Sequence, residues 1–235
     1  MSGRTELDSE LYERTEESLK TALQKHDPLW GPQLVIVLAI LLDVSLPDKL
    51  AIGPSWLLPA VEVLLLVGLT IASPYPRVRH SKLRRRVALG FISLVSLVNL
   101  VSLGLLVHYL LHHGSRPETG RPLILAGIVL WVTNVLLFGL WYWELDRGGP
   151  VARVMTPNAL PDFLFVQMSQ PSCAPPGWMP TLIDYLYLSF TNATAFSPTD
   201  TMPLTRTAKL AMVVQSTAAL LTIGLVVARA VNILT

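Results

Sequence analysis

Long runs of apolar residues, separated by short polar breaks, fill most of this chain. Five of them are long enough to cross the hydrocarbon core of a bilayer as a helix, which takes roughly 20 residues. They are Leu29–Pro47, Ser55–Ser73, Val87–Leu111, Pro122–Trp143 and Ala208–Leu234. The first is interrupted by Asp43 and is the weakest of the five. Ahead of them, Asp8–Gln24 is polar, with Leu11, Leu19, Ala22 and Leu23 at near-helical spacing. That pattern predicts an amphipathic helix at a membrane surface, or a polar tail.

The region 144–207 breaks the pattern. It is rich in proline and carries no lysine or arginine from Val154 to Thr205. Within it, TLIDYLYLSFTNATAF at 181–196 is apolar but too short to span, as re-entrant or interfacial segments are. The expected architecture is therefore an all-α membrane protein. It has about five transmembrane helices and a re-entrant, pore-loop-like hairpin before the last. The chain divides into a polar segment (1–28), a four-helix transmembrane region (29–146), a proline-rich loop (147–180) and a terminal unit (181–235).

Composition agrees: 51% of residues are hydrophobic and only 14% charged, where soluble domains carry about a quarter. A net charge of +2 leaves no footprint for nucleic acid. The single cysteine, Cys173, excludes an internal disulfide framework.

Basic residues favour the cytoplasmic side of a membrane. With five spans, the cluster Arg77, Arg79, Lys82, Arg84, Arg85 and Arg86 falls on the same side as the N-terminus, Arg147, Arg153, Arg206 and Lys209. That side collects 14 of the 18 basic residues. The base-free stretch 154–205 reads instead as a translocated loop, and the two signals disagree.

Ionisable and amide groups inside spans are costly and tend to face a bundle interior or a cavity. Asp43, Glu62, Asn99, Asn134, Gln215 and Arg229 are the candidates. They read as a cation path or as interhelical hydrogen bonds and ion pairs. Trp141, Tyr142 and Trp143 read as an aromatic belt at the membrane boundary, and WELDRGGP as a helix end. No phosphate-binding glycine loop, nucleophile–base pair or metal cluster stands out, so no cofactor and no enzymatic activity are expected. Asp162, Asp184 and Asp200 are the acids that could converge in space.

The order in 184–234 is a short aromatic helix, a hydroxyl-rich turn, an acid and a long helix. It resembles the pore helix, filter and inner helix of tetrameric potassium channels. The resemblance implies a pore helix at Tyr185–Thr194 and a filter at Thr194–Asp200. Gly224 is then a possible hinge in the inner helix. The filter position reads TAFSPTD and has no glycine, so successive carbonyls cannot all turn toward an ion. The expected ligands are the side chains of Thr194, Ser197, Thr199 and Asp200, beside Phe196, for a hydrated cation. The whole chain is also similar to a bacterial family of uncharacterised multi-pass membrane proteins. WYWELDRGGP at 141–150, PDFLF at 161–165 and DYLYLSFTNATAFSPTDTMPLTR at 184–206 carry that likeness. It implies a bacterial inner membrane. The resulting expectation is a homo-oligomeric cation channel, with a tetramer favoured, surrounded by lipid. The alternative is a non-conducting scaffold that binds a partner through 154–205.

Overall fold

The structure is a computed structural model describing residues 30–46, 81–113, 120–194 and 200–234, with Thr21, Ala60, Val63 and Val67 as isolated helical positions. The principal helices are α1 (Trp30–Val44), α2 (Ser81–His113) and α3 (Gly120–Leu145). After a one-turn 3₁₀ segment, Asp146–Gly148, come α4 (Pro150–Met155), α5 (Val166–Ser169), α6 (Leu182–Thr194) and α7 (Arg206–Leu234). The all-α expectation needs a small correction. Phe163–Leu164 (β1) and Met202–Pro203 (β2) form a two-stranded antiparallel ladder with Phe163 opposite Pro203. The ladder exists because two extended segments, each kept out of a helix by a neighbouring proline, pass side by side.

Three helices among the described residues are long and apolar enough to cross a membrane: Arg85–Leu110, Pro122–Met155 and Arg206–Val231. They coincide with the third, fourth and fifth predicted spans. The first predicted span is represented by α1, a shorter apolar helix of 15 residues. The second lies largely outside the described residues.

Helix α3 is the axis of the bundle. It is apolar on every side, and a helix of that kind needs neighbours all round. It packs against α1, α2, α6 and α7. Matching residues give the directions. Along α2, Arg85 lies beside Glu144 and Asn99 beside Leu130. Along α6, Gly139 lies beside Leu186, Ser189 donates to the Val135 carbonyl and the Trp131 indole donates to the Ala193 carbonyl. Helices α2 and α6 thus run antiparallel to α3. Ser189 and Asn192 meet Gln215, and Ala193 packs with Ala219, so α6 runs parallel to the first half of α7. Thirteen residues make α6 about 20 Å long, against about 43 Å for the 29 residues of α7.

Close approach of α3 and α6 depends on Gly139. A Cβ there would stand 2.5 Å from Leu186 Cδ2 and 3.2 Å from the Leu186 backbone. The leucine tip can turn aside, but the backbone cannot. Gly139→Ala is expected to destabilise the protein by about 1–3 kcal/mol, as overpacking does, measured as a lowered melting temperature in lipid nanodiscs. An unchanged melting temperature would show that α6 can slide away at no cost.

A junction of buried charges and a buried amide network

At the end of α3 the sequence WELDRGGP turns the chain sharply. Arg147, Gly148 and Gly149 all have positive φ, at 52°, 83° and 97°. That region is open to glycine and strained for other residues. A side chain at Gly149 is also excluded by contact: a Cβ would meet Glu144 Oε2 at 2.8 Å. Arg147 accepts the strain because its backbone N–H donates to Asp162 Oδ2 at 2.8 Å. Pro150 then starts α4, where its missing N–H costs nothing.

The turn places Asp146 in the interior, with no exposed surface. Its Oδ1 accepts the backbone N–H groups of Asp162 at 2.7 Å and Phe163 at 3.4 Å. Its Oδ2 accepts the Tyr185 hydroxyl at 2.6 Å and stands 3.6 Å from Arg147 Nε. Burial pushes the Tyr185 phenol well above its ordinary range, against the opposing pull of the Arg153 charge. The hydroxyl therefore stays a donor. Arg153 is also buried: it donates to the backbone carbonyls of Trp143 and Asp146, and its guanidinium lies 5.0 Å from the Tyr185 ring centroid and 5.8 Å from that of Trp143. Asp162 completes the cluster, taking the Thr205 hydroxyl on Oδ1 at 2.7 Å and the Leu204 N–H on its carbonyl at 2.8 Å. The Arg147 guanidinium stands against the buried Asp146 carboxylate, an opposite charge that a buried charge requires. Five separate stretches of chain, near 146, 153, 162, 185 and 204, are fastened at this point. Tilted and edge-on ring contacts extend the packing from Tyr142 through Phe163, Tyr185 and Phe165 to Trp178.

A second polar centre lies one helical turn deeper, between α3, α6 and α7. Gln215 has no exposed surface. Its Oε1 accepts from the Tyr142 hydroxyl and from Asn192 Nδ2. Its Nε2 donates to the Ser189 carbonyl at 2.9 Å and to Ser189 Oγ at 2.6 Å. Asn192 also donates to the Met212 carbonyl, and Ser189 to that of Val135. Every polar atom of the Gln215 amide has a partner, as a buried amide in an apolar bundle demands.

The other predicted residues are scattered. Thr194 ends α6 and turns its hydroxyl onto the Thr191 carbonyl of its own helix, while Asp200 is exposed. Phe196, Ser197, Thr199 and Glu62 lie outside the described residues. Asp43 is half-buried near the end of α1. Asn99 is buried and donates weakly to the Leu130 carbonyl at 3.4 Å. Asn134 and Arg229 are buried on α3 and α7, and the Asn134 side-chain carbonyl accepts no hydrogen bond. Helix α7 runs unbroken through Gly224, where a Cβ would meet open space. Asp162 serves the junction, whereas Asp184 caps α6 by accepting the Thr181 N–H and hydroxyl. Among the described residues, no group of three histidine, cysteine, aspartate or glutamate side chains is placed to hold a metal.

One expectation is overturned. Tyr142 and Trp143 are buried at 0% and 4% exposure, so they do not form a lipid-facing belt. The reason is that α4, β1 and α6 cover the end of α3, so these rings pack inside the protein. Sequence reading also missed that Asp146, Arg153 and Tyr185 meet at the junction, and that Ser189 and Asn192 meet at Gln215. The one available signal was the pair of arginines, Arg147 and Arg153, bordering a long base-free stretch.

Comparison with known protein families, with curated proteins and with solved structures finds no match to this chain.

Proposed function

We propose that this chain is a multi-pass membrane protein in which residues 182–206 form a re-entrant hairpin, and that a ring of four chains conducts hydrated cations past residues 194–200. The observation that carries this reading is the course of α6. It enters beside the start of α7, runs parallel to it for about 20 Å and stops, where a bilayer core is about 30 Å thick. By Met202 the chain is back beside Leu164, at the end where α6 began. A helix entering part-way and a segment returning before a full-length helix is how a pore loop is built.

Two further features support it. The polar side chains of α6 face its own bundle through Gln215, so the amide network would hold the pore helix to its subunit. Ile183, Tyr187 and Phe190 on α6, and Leu210, Val213 and Val214 on α7, are exposed apolar groups suited to lipid or a second copy. Asp200 with neighbouring hydroxyl oxygens favours cations. Arg85, Arg147, Arg153, Arg206 and Lys209 gather at the junction end, which the positive-inside rule assigns to the cytoplasm.

The test is single-particle imaging in nanodiscs followed by flux in liposomes. A symmetric ring with 194–200 on its axis is expected, and Asp200→Asn should lower cation flux severalfold while leaving the ring intact. A monomer without flux would remove the channel. It would favour the second reading, a scaffold, which the tightly fastened 146–181 segment supports as a rigid surface for a partner.

A further inference from the structure

Residues 157–180, folded over the end of α3, enclose an open cleft of about 440 Å³. That volume is in the range of sites for small molecules, about 300–1,000 Å³. Its walls are apolar: Leu164, Met168, Trp178, Met179 and Pro161, with Arg147 as the charged group among them. Trp178 is set firmly. The Pro175–Trp178 turn, closed by a Trp178 N–H to Pro175 carbonyl bond, has proline and then glycine at its centre, Gly177 at φ 73°. The indole meets Phe165 edge-on at 5.9 Å.

Arg147 is held as firmly, by its strained backbone and its bond to Asp162. Its side chain is 6% exposed, yet its partners are poor. Nε makes no hydrogen bond and stands 3.6 Å from an Asp146 carboxylate already taking three. Nη1 reaches the Pro157 carbonyl at 3.4 Å, and Nη2 reaches the Met168 thioether at 3.4 Å. A thioether is a weak acceptor, and a guanidinium carries five donors made for a planar oxyanion. A buried guanidinium with weak bonds on the wall of an apolar cleft is half of a binding site.

We propose that this cleft binds a small amphipathic oxyanion: a carboxylate or phosphate-ester head on the Nη1 and Nη2 edge of Arg147, and an apolar body against Trp178, Met168 and Met179. The head replaces the Met168 and Pro157 contacts, and Nε keeps its place beside Asp146. The inference stands apart from ion conduction. The oxyanion could belong to a soluble metabolite or to an anionic lipid headgroup.

Equilibrium dialysis of radiolabelled 4-phenylbutyrate tests it, with the full chain in phosphatidylcholine nanodiscs and empty nanodiscs as the blank. Saturable one-to-one binding is expected, and the neutral 4-phenylbutyramide should not compete. Arg147→Gln should weaken binding by about tenfold or more, as loss of a charge-assisted pair does. Trp178→Ala should weaken it without touching the ion cluster, which keeps the test valid if Arg147→Gln fails to fold. Replacing part of the lipid with phosphatidylglycerol separates the sources. A raised apparent Kd assigns the site to a lipid headgroup, and an unchanged one to a soluble ligand. Absence of saturable binding in phosphatidylcholine, equal competition by the amide, or undiminished binding in both variants would overturn the proposal.

Discussion

Asp146→Ala should cost roughly 3–5 kcal/mol, enough to unfold the junction in an otherwise intact bundle. The magnitude follows from what is left behind. Arg147 loses its facing carboxylate, and the N–H groups of Asp162 and Phe163 and the hydroxyl of Tyr185 lose their acceptor. Uncompensated buried charge is the largest of these costs. The comparison variant is Tyr185→Phe, which removes one donor and keeps the carboxylate, and should cost about 1–2 kcal/mol. Melting in nanodiscs ranks the two. If Asp146→Ala proves no worse than Tyr185→Phe, the junction is not held by charge. A second arm sharpens the result: adding Arg147→Leu to Asp146→Ala should recover part of the loss, because it removes the guanidinium that Asp146 faces.

Gln215→Leu is expected to be the next most damaging substitution, at about 2–3 kcal/mol. Leucine fills the same space in an apolar surrounding, so the loss is almost entirely polar. Tyr142 loses the acceptor of its hydroxyl, Asn192 loses one of its acceptors, and the Ser189 carbonyl and hydroxyl lose a donor. Hydrogen bonds between helices in membranes contribute about 0.6 kcal/mol each on average and up to about 1.7, so four lost together reach that range. The network joins α3, α6 and α7, so its loss should loosen α6 in particular. Hydrogen–deuterium exchange of the α6 amides should accelerate more in Gln215→Leu than in Gly139→Ala, which crowds the α3–α6 contact but leaves the amide in place. A Gln215→Leu protein with wild-type melting and wild-type exchange would show that α6 is held by shape alone.

Much of the frame is legible in residues read one after another. Three long apolar runs became three long apolar helices, because length and hydrophobicity are local properties. WELDRGGP ended α3 because glycine and proline act on the backbone where they stand. The 181–196 run was legible as a helix too short to span, and α6 is 13 residues long. The Asp184 cap was open to sequence reading as well, since Thr181 and Asp184 are three residues apart.

What the tertiary structure decided is of another kind. The runs that became α3 and α7 are similarly apolar all round, so neither offers a face to orient it. Yet 61% of the apolar window of the α3 span is buried against 22% for α7. Centrality depends on how many neighbours arrive, and no run of sequence records that. The same holds for Tyr142 and Trp143, whose composition suits a lipid boundary but whose position under α4, β1 and α6 makes them core. Asp146 could be read only as one acid at a helix end, because its partners lie 16, 17 and 39 positions away. Gln215 likewise meets Tyr142 across 73 positions. By itself, the sequence determined which segments are helical and apolar, and where the chain turns. Which of those helices sits at the centre, and which polar groups meet inside it, was settled by packing, because burial and hydrogen bonding belong to pairs of residues that only the folded chain brings together.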